Sequence, residues 1–181
     1  SSITPGPNNL MLMASGANFG VRRSLPHLLG VALGHSFLIV VVGLGLIGLF
    51  EALPWLRTAL TIVGVAYLLW LAWKIATSVP KDGASGARPL TFLQAAAFQW
   101  VNPKAWFMAI GAITFYATAG STWGVLLVAL AFLLTNLPSI SFWTVLGQEM
   151  RRFLTSPARL RAFNWTMAGL LVLSLWPVLR H

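Results

Sequence analysis

Thr4-Pro5-Gly6-Pro7-Asn8-Asn9 stands at the head of an otherwise apolar run, Ile3 to Phe19. The run reads as part of a lipid-buried helix, yet its opening cannot be continuous helix. Pro7 has no N–H, so the carbonyl of Ile3 loses its usual donor. In hydrocarbon a free carbonyl costs on the order of several kcal/mol, and such a break persists only where it faces protein or a wet cavity. The chain repeats the device at Asn102-Pro103-Lys104, inside another apolar run. Two Pro-interrupted membrane segments at matching places in two halves of a chain point to a transporter's binding site.

Composition sets the solvent. With 57% hydrophobic and 8% charged residues and a mean hydropathy of +0.79, the chain is too apolar for a soluble domain and reads as an all-α integral membrane protein. The net charge of +9 does not indicate nucleic acid, because the basic residues fall between apolar runs and not in one patch with interleaved aromatics. Zero cysteines exclude thiol redox chemistry and thiolate metal sites. Neither a metal nor a cofactor is expected. A span needs about 20 apolar residues, so part of the first helix is expected upstream of Ser1.

Six transmembrane helices are predicted. The first emerges near Asn18, with Arg22 and Arg23 in the connection after it; the second runs from about Leu28 to Phe50. Glu51 to Arg57 is a short turn, and the third span covers about Thr58 to Ala76. Residues 79–89 form the one substantial loop, the expected boundary between half-repeats of about 1–78 and 90–181 within a single domain. The fourth span, Phe92 to Thr118, is broken near Asn102-Pro103; the fifth covers Trp123 to Leu146 and the sixth Ala162 to Leu179. Trp55, Trp123, Trp165 and Trp176 lie near span ends, as an interfacial belt requires.

Lysine and arginine counts set the orientation. Nine fall in connections 1–2, 3–4 and 5–6 (Arg22, Arg23, Lys74, Lys81, Arg88, Arg151, Arg152, Arg159 and Arg161), against Arg57 and Arg180 on the other side. These three connections are therefore predicted cytoplasmic. Each half has three spans, so the second copy must enter from the opposite face, which makes an inverted repeat. Ten residues from Phe92 to Asn102 rise roughly 15 Å, and twelve from Gly6 to Asn18 roughly 18 Å. Both breaks thus reach the middle of a bilayer core about 30 Å thick.

At a broken helix the second segment starts afresh with unpaired N–H groups and the positive end of its dipole. Asn8 and Asn9 open one such segment and Lys104 the other. Together they make a cradle for a carboxylate, while the carbonyls freed at Ile3 and Gln99 suit an ammonium group. The alternative is that the prolines only kink their helices and the Asn side chains satisfy the kink. Lys104, the one lysine deep in a span, either grips the carboxylate or caps a carbonyl and snorkels. His35 is a candidate proton relay or a hydrogen-bonded packing residue. Asn136 and Pro138 form a third interruption, read as a kink compensated by Asn136 or Ser139, with a gating hinge as the other reading. Gly30, Gly34, Gly43, Gly45 and Gly48 are assigned to helix packing.

Two motif matches carry nothing. Gly43-Leu-Gly-Leu-Ile-Gly48 fits a dinucleotide fingerprint but lies within an apolar span. Asn164-Trp165-Thr166 fits a glycosylation sequon at a predicted cytoplasmic face. No hydrolase signature is present, so no enzyme is expected; a membrane scaffold that binds partner helices through its glycine faces is the alternative function.

The opening ITPGPNN, the stretch from Ala66 to Ser78 and that from Phe92 to Trp106 (FLQAAAFQWVNPKAW) resemble the lysine/homoserine exporter (LysE/RhtB) family of bacterial inner-membrane amino-acid exporters. The middle block is most similar to the cysteine/O-acetylserine exporters. The resemblance covers nearly the whole chain. It implies six helices, efflux of a small amino acid or derivative, and coupling to protons. Pro5, Gly6, Pro7, Asn8, Asn102, Pro103 and Lys104 carry over by motif. Some relatives have Asp in place of His35, so the coupling residue can differ. The partners implied are the amino-acid substrate, protons and the lipid bilayer; a homodimer is left open, and no nucleic acid is expected.

Overall fold

The computed structural model describes residues 2–46, 52–53, 55–78, 88–117 and 121–176, apart from the side chains of Leu46 and Arg57. Gly48, Glu51, Pro54, most of the 79–89 loop with Lys81 and Asp82, and Arg180 lie outside the described residues. Seven α-helices occur among the latter: α1 (Pro7–Phe19), α2 (Val21–Val41), α3 (Trp55–Ala76), α4 (Phe92–Val101), α5 (Pro103–Tyr116), α6 (Thr122–Met150) and α7 (Pro157–Leu173). A π-helical segment, Val42–Leu46, continues α2. No strand occurs among the described residues.

Three stretches are long and apolar enough to cross a membrane: Val21–Gly45, Thr58–Ala76 and Thr122–Met150. The two Pro breaks account for part of the shortfall against six spans. Asn102 divides the fourth span into helices of 10 and 14 residues, and α1, which starts at Pro7, has only 13. The surface is apolar in the way lipid requires. Leu93, Phe107, Phe115 and Trp123 are each at least 70% exposed, whereas a water-facing surface avoids contiguous apolar patches. Trp55, Trp123 and Trp176 are exposed near helix ends, whereas Trp165, expected near a span end, is exposed at the middle of α7 because that helix starts at Pro157.

Local chemistry sets the helix limits. Thr91 and Gln94 form a reciprocal capping box at α4, and Ser121 and Ser156 cap α6 and α7. Three expected boundaries move. Gly20, at φ 81°, turns the chain within one residue, a conformation that favours glycine. α2 therefore begins at Val21, and Arg22 and Arg23 ride on its first turn instead of lying in a loop. α6 continues to Met150, and the Ser156 cap starts α7 at Pro157, so the basic 5–6 connection shortens to residues 151–156.

Pro138 does not break α6, which is one helix of 29 residues. The expected compensation there is also corrected: the Asn136 amide nitrogen and Ser139 Oγ are buried without a hydrogen-bond partner. Neither satisfies the carbonyl that Pro138 frees. Thr135 Oγ1 donates instead to Ala131 and Phe132, one turn earlier.

Packing is dominated by four helix pairs: α1 with α6, α4 with α2, α2 with α6, and α3 with α7. Glycine makes two of them close. The Thr144 carbonyl occupies the place of a Gly16 Cβ, and the Met13 carbonyl that of a Gly147 Cβ, which locks α1 to α6. Gly30 and Gly34 do the same for α2 against Phe92 and Ala96 at α4, so the packing assignment for that glycine pair holds. Gly45 has open space and a φ of 110° within the π segment, where its role is conformational. The largest core cluster, including Leu12, Val31, Leu68, Phe98, Ile140 and Leu171, sits where these pairs meet.

Candidate functional site

The two breaks come together. In the first, Gly6 is the extended N-cap of α1 with Pro7 at its first position, and Leu10 N–H to the Gly6 carbonyl (3.0 Å) is the first helical bond. Asn8 and Asn9 therefore hold N–H groups that precede the helical ladder. In the second break, Asn102 is extended, its Oδ1 accepts from Lys104 N–H (3.2 Å), and Pro103 opens α5. The Lys104 side chain crosses between them. Its Nζ donates to Thr4 Oγ1 (2.9 Å) and to the Thr4 carbonyl (3.2 Å), and a Cβ on Gly6 would lie 2.7 Å from that nitrogen.

A second bridge runs behind the first. Asn8 Nδ2 donates to Gln99 Oε1 (2.8 Å) while Gln99 Nε2 donates to Asn8 Oδ1 (3.1 Å) and to the Ala95 carbonyl. Gln99 is fully buried. Asn9 Nδ2 holds the unwound entry through the carbonyls of Ser2 and Thr4. The Ile3 carbonyl, expected free for an ammonium group, accepts from Trp143 Nε1 (3.1 Å), so the unwound strand is fixed to α6 at that point.

Gly6, Asn8, Asn9, Asn102 and Lys104 line a cavity of about 20 Å³ together with His35 and Asn136, room for one or two waters. His35 and Asn136 are both buried. His35 Nε2 and Asn136 Nδ2 have no hydrogen-bond partner, and the His35 ring packs on Phe132 with centroids 4.4 Å apart. Two orphaned polar atoms beside a cation describe a cavity suited to a polar guest, since each would otherwise cost about 1–3 kcal/mol. Residues 1–175 match the family model of the LysE type translocator. The chain belongs to that family.

Relatives agree. The chain is 30% identical over 174 residues to the cysteine/O-acetylserine efflux protein of Klebsiella pneumoniae, covering 95% of this chain and 88% of that one. It is 32% identical over 177 residues to the proteins of the same name from Escherichia coli K12 and Shigella flexneri, with the same two coverages. No solved structure matches the chain.

Within this LysE-type translocator, the sequence-derived site residues divide by depth. Gly6, Asn8, Asn9, Asn102 and Lys104 reach the cavity; Gln99 stands behind Asn8; Pro5 is exposed, and Pro7 and Pro103 shape the backbone. Asn136, expected as part of a compensated kink or of a gating hinge, lines the cavity, as do Ser2, Ala105 and Met108, which carried no signal of their own. The Asn8–Gln99 bridge is measurable. Asn8→Ala and Gln99→Ala should show a coupling energy of about 1 kcal/mol in a double-mutant cycle of unfolding, the scale of buried amide pairs in membranes. Additive effects would mean that the bridge is not formed.

Proposed function

We propose that this translocator exports a small amino acid or amino-acid derivative from the cytoplasm across the bacterial inner membrane, binding it where the two broken helices meet. The junction of Gly6 with Lys104 over the polar cavity carries this reading. The positive ends of α1 and α5 and the Lys104 ammonium converge there. The three acidic residues, Glu51, Asp82 and Glu149, fall at span ends or in the loop by sequence. A carboxylate guest would supply the missing negative charge and accept from Asn136 Nδ2, and its ammonium group would donate to His35 Nε2. The names of the relatives favour the same substrate class.

A cavity of about 20 Å³ is too small for an amino acid, so binding requires the bundle to open. Rocking of one half against the other is the movement we assign. The pairing of helices supports two inverted three-helix repeats, about 1–78 and 90–181. Exchanging α1 for α4–α5, α2 for α6 and α3 for α7 carries the α1/α6 contact onto α4/α2 and leaves α2/α6 and α3/α7 in place. Gly20 meets Gln148 and Arg151, and Asn164 bonds Asn18 and the Ser78 carbonyl. The ends of connections 1–2, 3–4 and 5–6 thus share one face of the bundle, which we assign to the cytoplasm because nine lysines and arginines accompany them. Both broken helices come from one chain, so no homodimer is needed to complete the site.

Reconstituted in liposomes, the protein should move labelled cysteine or O-acetylserine above a protein-free control. A folded protein that moves none of a panel of small amino acids would reject transport and leave the scaffold reading. We assign proton coupling to His35. His35→Ala is expected to retain downhill exchange but to lose accumulation driven by a proton gradient; unchanged accumulation would move coupling elsewhere.

A further inference from the structure

A larger chamber, walled mainly by apolar side chains with a few polar groups set among them, lies away from the Lys104 junction, where α1 turns into α2 and α3 ends. Its volume is about 40 Å³, and its polar lining comes from Ser15, Asn18, His27, Lys74, Ser78 and Arg88. That is about three water positions, the heavy-atom count of a carboxylate group. Asn18 lies ten residues beyond Asn8, about 15 Å along the helix, so this chamber is separate from the cavity between the broken helices.

His27 is the observation that asks for a ligand. It is 2% exposed, and neither Nδ1 nor Nε2 has a hydrogen-bond partner. Nothing in the Lys104 site uses it. Its polar neighbours are already engaged: Ser15 Oγ with Ser24 Oγ (2.7 Å), and the Asn18 amide with Ala14 and Asn164. The imidazole is left to meet whatever enters. Two cations, Lys74 and Arg88, line the same space, and no acidic side chain does. Lys74 Nζ is steadied over the Trp70 ring, 5.2 Å from its centroid. An imidazole N–H donor that shares a space of this size with an ammonium and, at its exposed rim, a guanidinium selects a small anion with planar oxygen acceptors.

We propose that this chamber is a docking site for the carboxylate of a small soluble solute, a station separate from the Lys104 junction. It rests on the transport reading only for its place on the cytoplasmic side; carboxylate binding there needs no transport.

The test uses the full chain, ¹⁵N-labelled at its three histidines, in phosphatidylcholine nanodiscs, with the His27 imidazole signal assigned from His27→Gln. Acetate should shift the His27 signal saturably and methylammonium should not, while any acetate shift of His35 reports the Lys104 junction and should vanish in Lys104→Ala. Lys74→Gln and Arg88→Gln should each raise the half-saturating acetate concentration about tenfold, the loss of one charge-assisted contact. Lys104→Ala should leave it unchanged. No saturable shift at His27, or a shift indifferent to both single substitutions, would overturn the proposal. So would anionic lipid that moves the His27 signal and abolishes the acetate response, since the cradle would then be a lipid site. Acetate binding at His27 without any flux in liposomes rejects the transport reading alone, and flux without acetate binding rejects the docking site alone.

Discussion

Gly16→Ala and Gly147→Ala are each expected to destabilise the protein by about 3 kcal/mol, the upper end for overpacking a close-packed contact. At each position the atom in the way is a backbone carbonyl, of Thr144 and of Met13. No rotamer change can clear it, so α1 and α6 must move apart. That displacement reaches the site, because α1 carries Asn8 and Asn9 while α6 carries Asn136 and Trp143. For a chain of this length the shift in melting temperature should be about 10 °C. Gly111→Ala and Gly169→Ala are the matched controls: nothing lies within 4 Å of their added carbons, and a gain of up to about 1 kcal/mol in helix propensity is expected there. Equal melting temperatures across all four variants would refute the close α1/α6 contact.

Lys104→Ala is expected to raise the half-saturating substrate concentration for transport by about 10- to 100-fold, the worth of a charge-assisted hydrogen bond to a carboxylate. The fold should survive the change. Asn102 caps α5 through the backbone N–H of Lys104 and not through its side chain, and Asn9 still holds the Thr4 carbonyl once the ammonium is gone. Lys104→Arg should not fully restore binding, because a planar guanidinium cannot reproduce the contacts that the compact lysine ammonium makes with Thr4 beside Gly6. Unchanged transport by Lys104→Ala at normal protein levels would remove this residue from the site and take the carboxylate cradle with it.

The residues most legible in the chain were those that obey a backbone rule. Proline lacks a donor wherever it stands, so Pro7 and Pro103 announced both breaks, to which the structure adds Asn102 as the N-cap of α5. Helix limits were less legible where a single residue resets them. Gly20 turns the chain by adopting φ 81°, and Ser156 starts a helix five residues before the sequence-predicted span. Both depend on a local geometry that composition cannot register.

The polar pairings were not legible at all. Asn8 meets Gln99 and Asn18 meets Asn164 across long stretches of chain, and each amide alone resembles any other Asn or Gln in an apolar run. Asn136 read as part of a kink because Pro138 stands beside it, whereas packing of α6 on α1 turns it toward the cavity. His27 gave no signal because Arg22 and Arg23 placed it in a basic connection; the early start of α2 buries it.

The linear chain by itself determined that this is an apolar, helical, membrane-crossing protein with two interrupted segments and with its basic residues gathered between apolar runs, since these follow from hydropathy, from the missing N–H of proline and from charge counts. Tertiary structure alone decided that the interruptions touch, that Lys104 spans them, and which polar atoms are left without partners. Those outcomes depend on how closely glycine lets α1 approach α6 and α2 approach α4, a distance set by contacts between residues far apart in the chain.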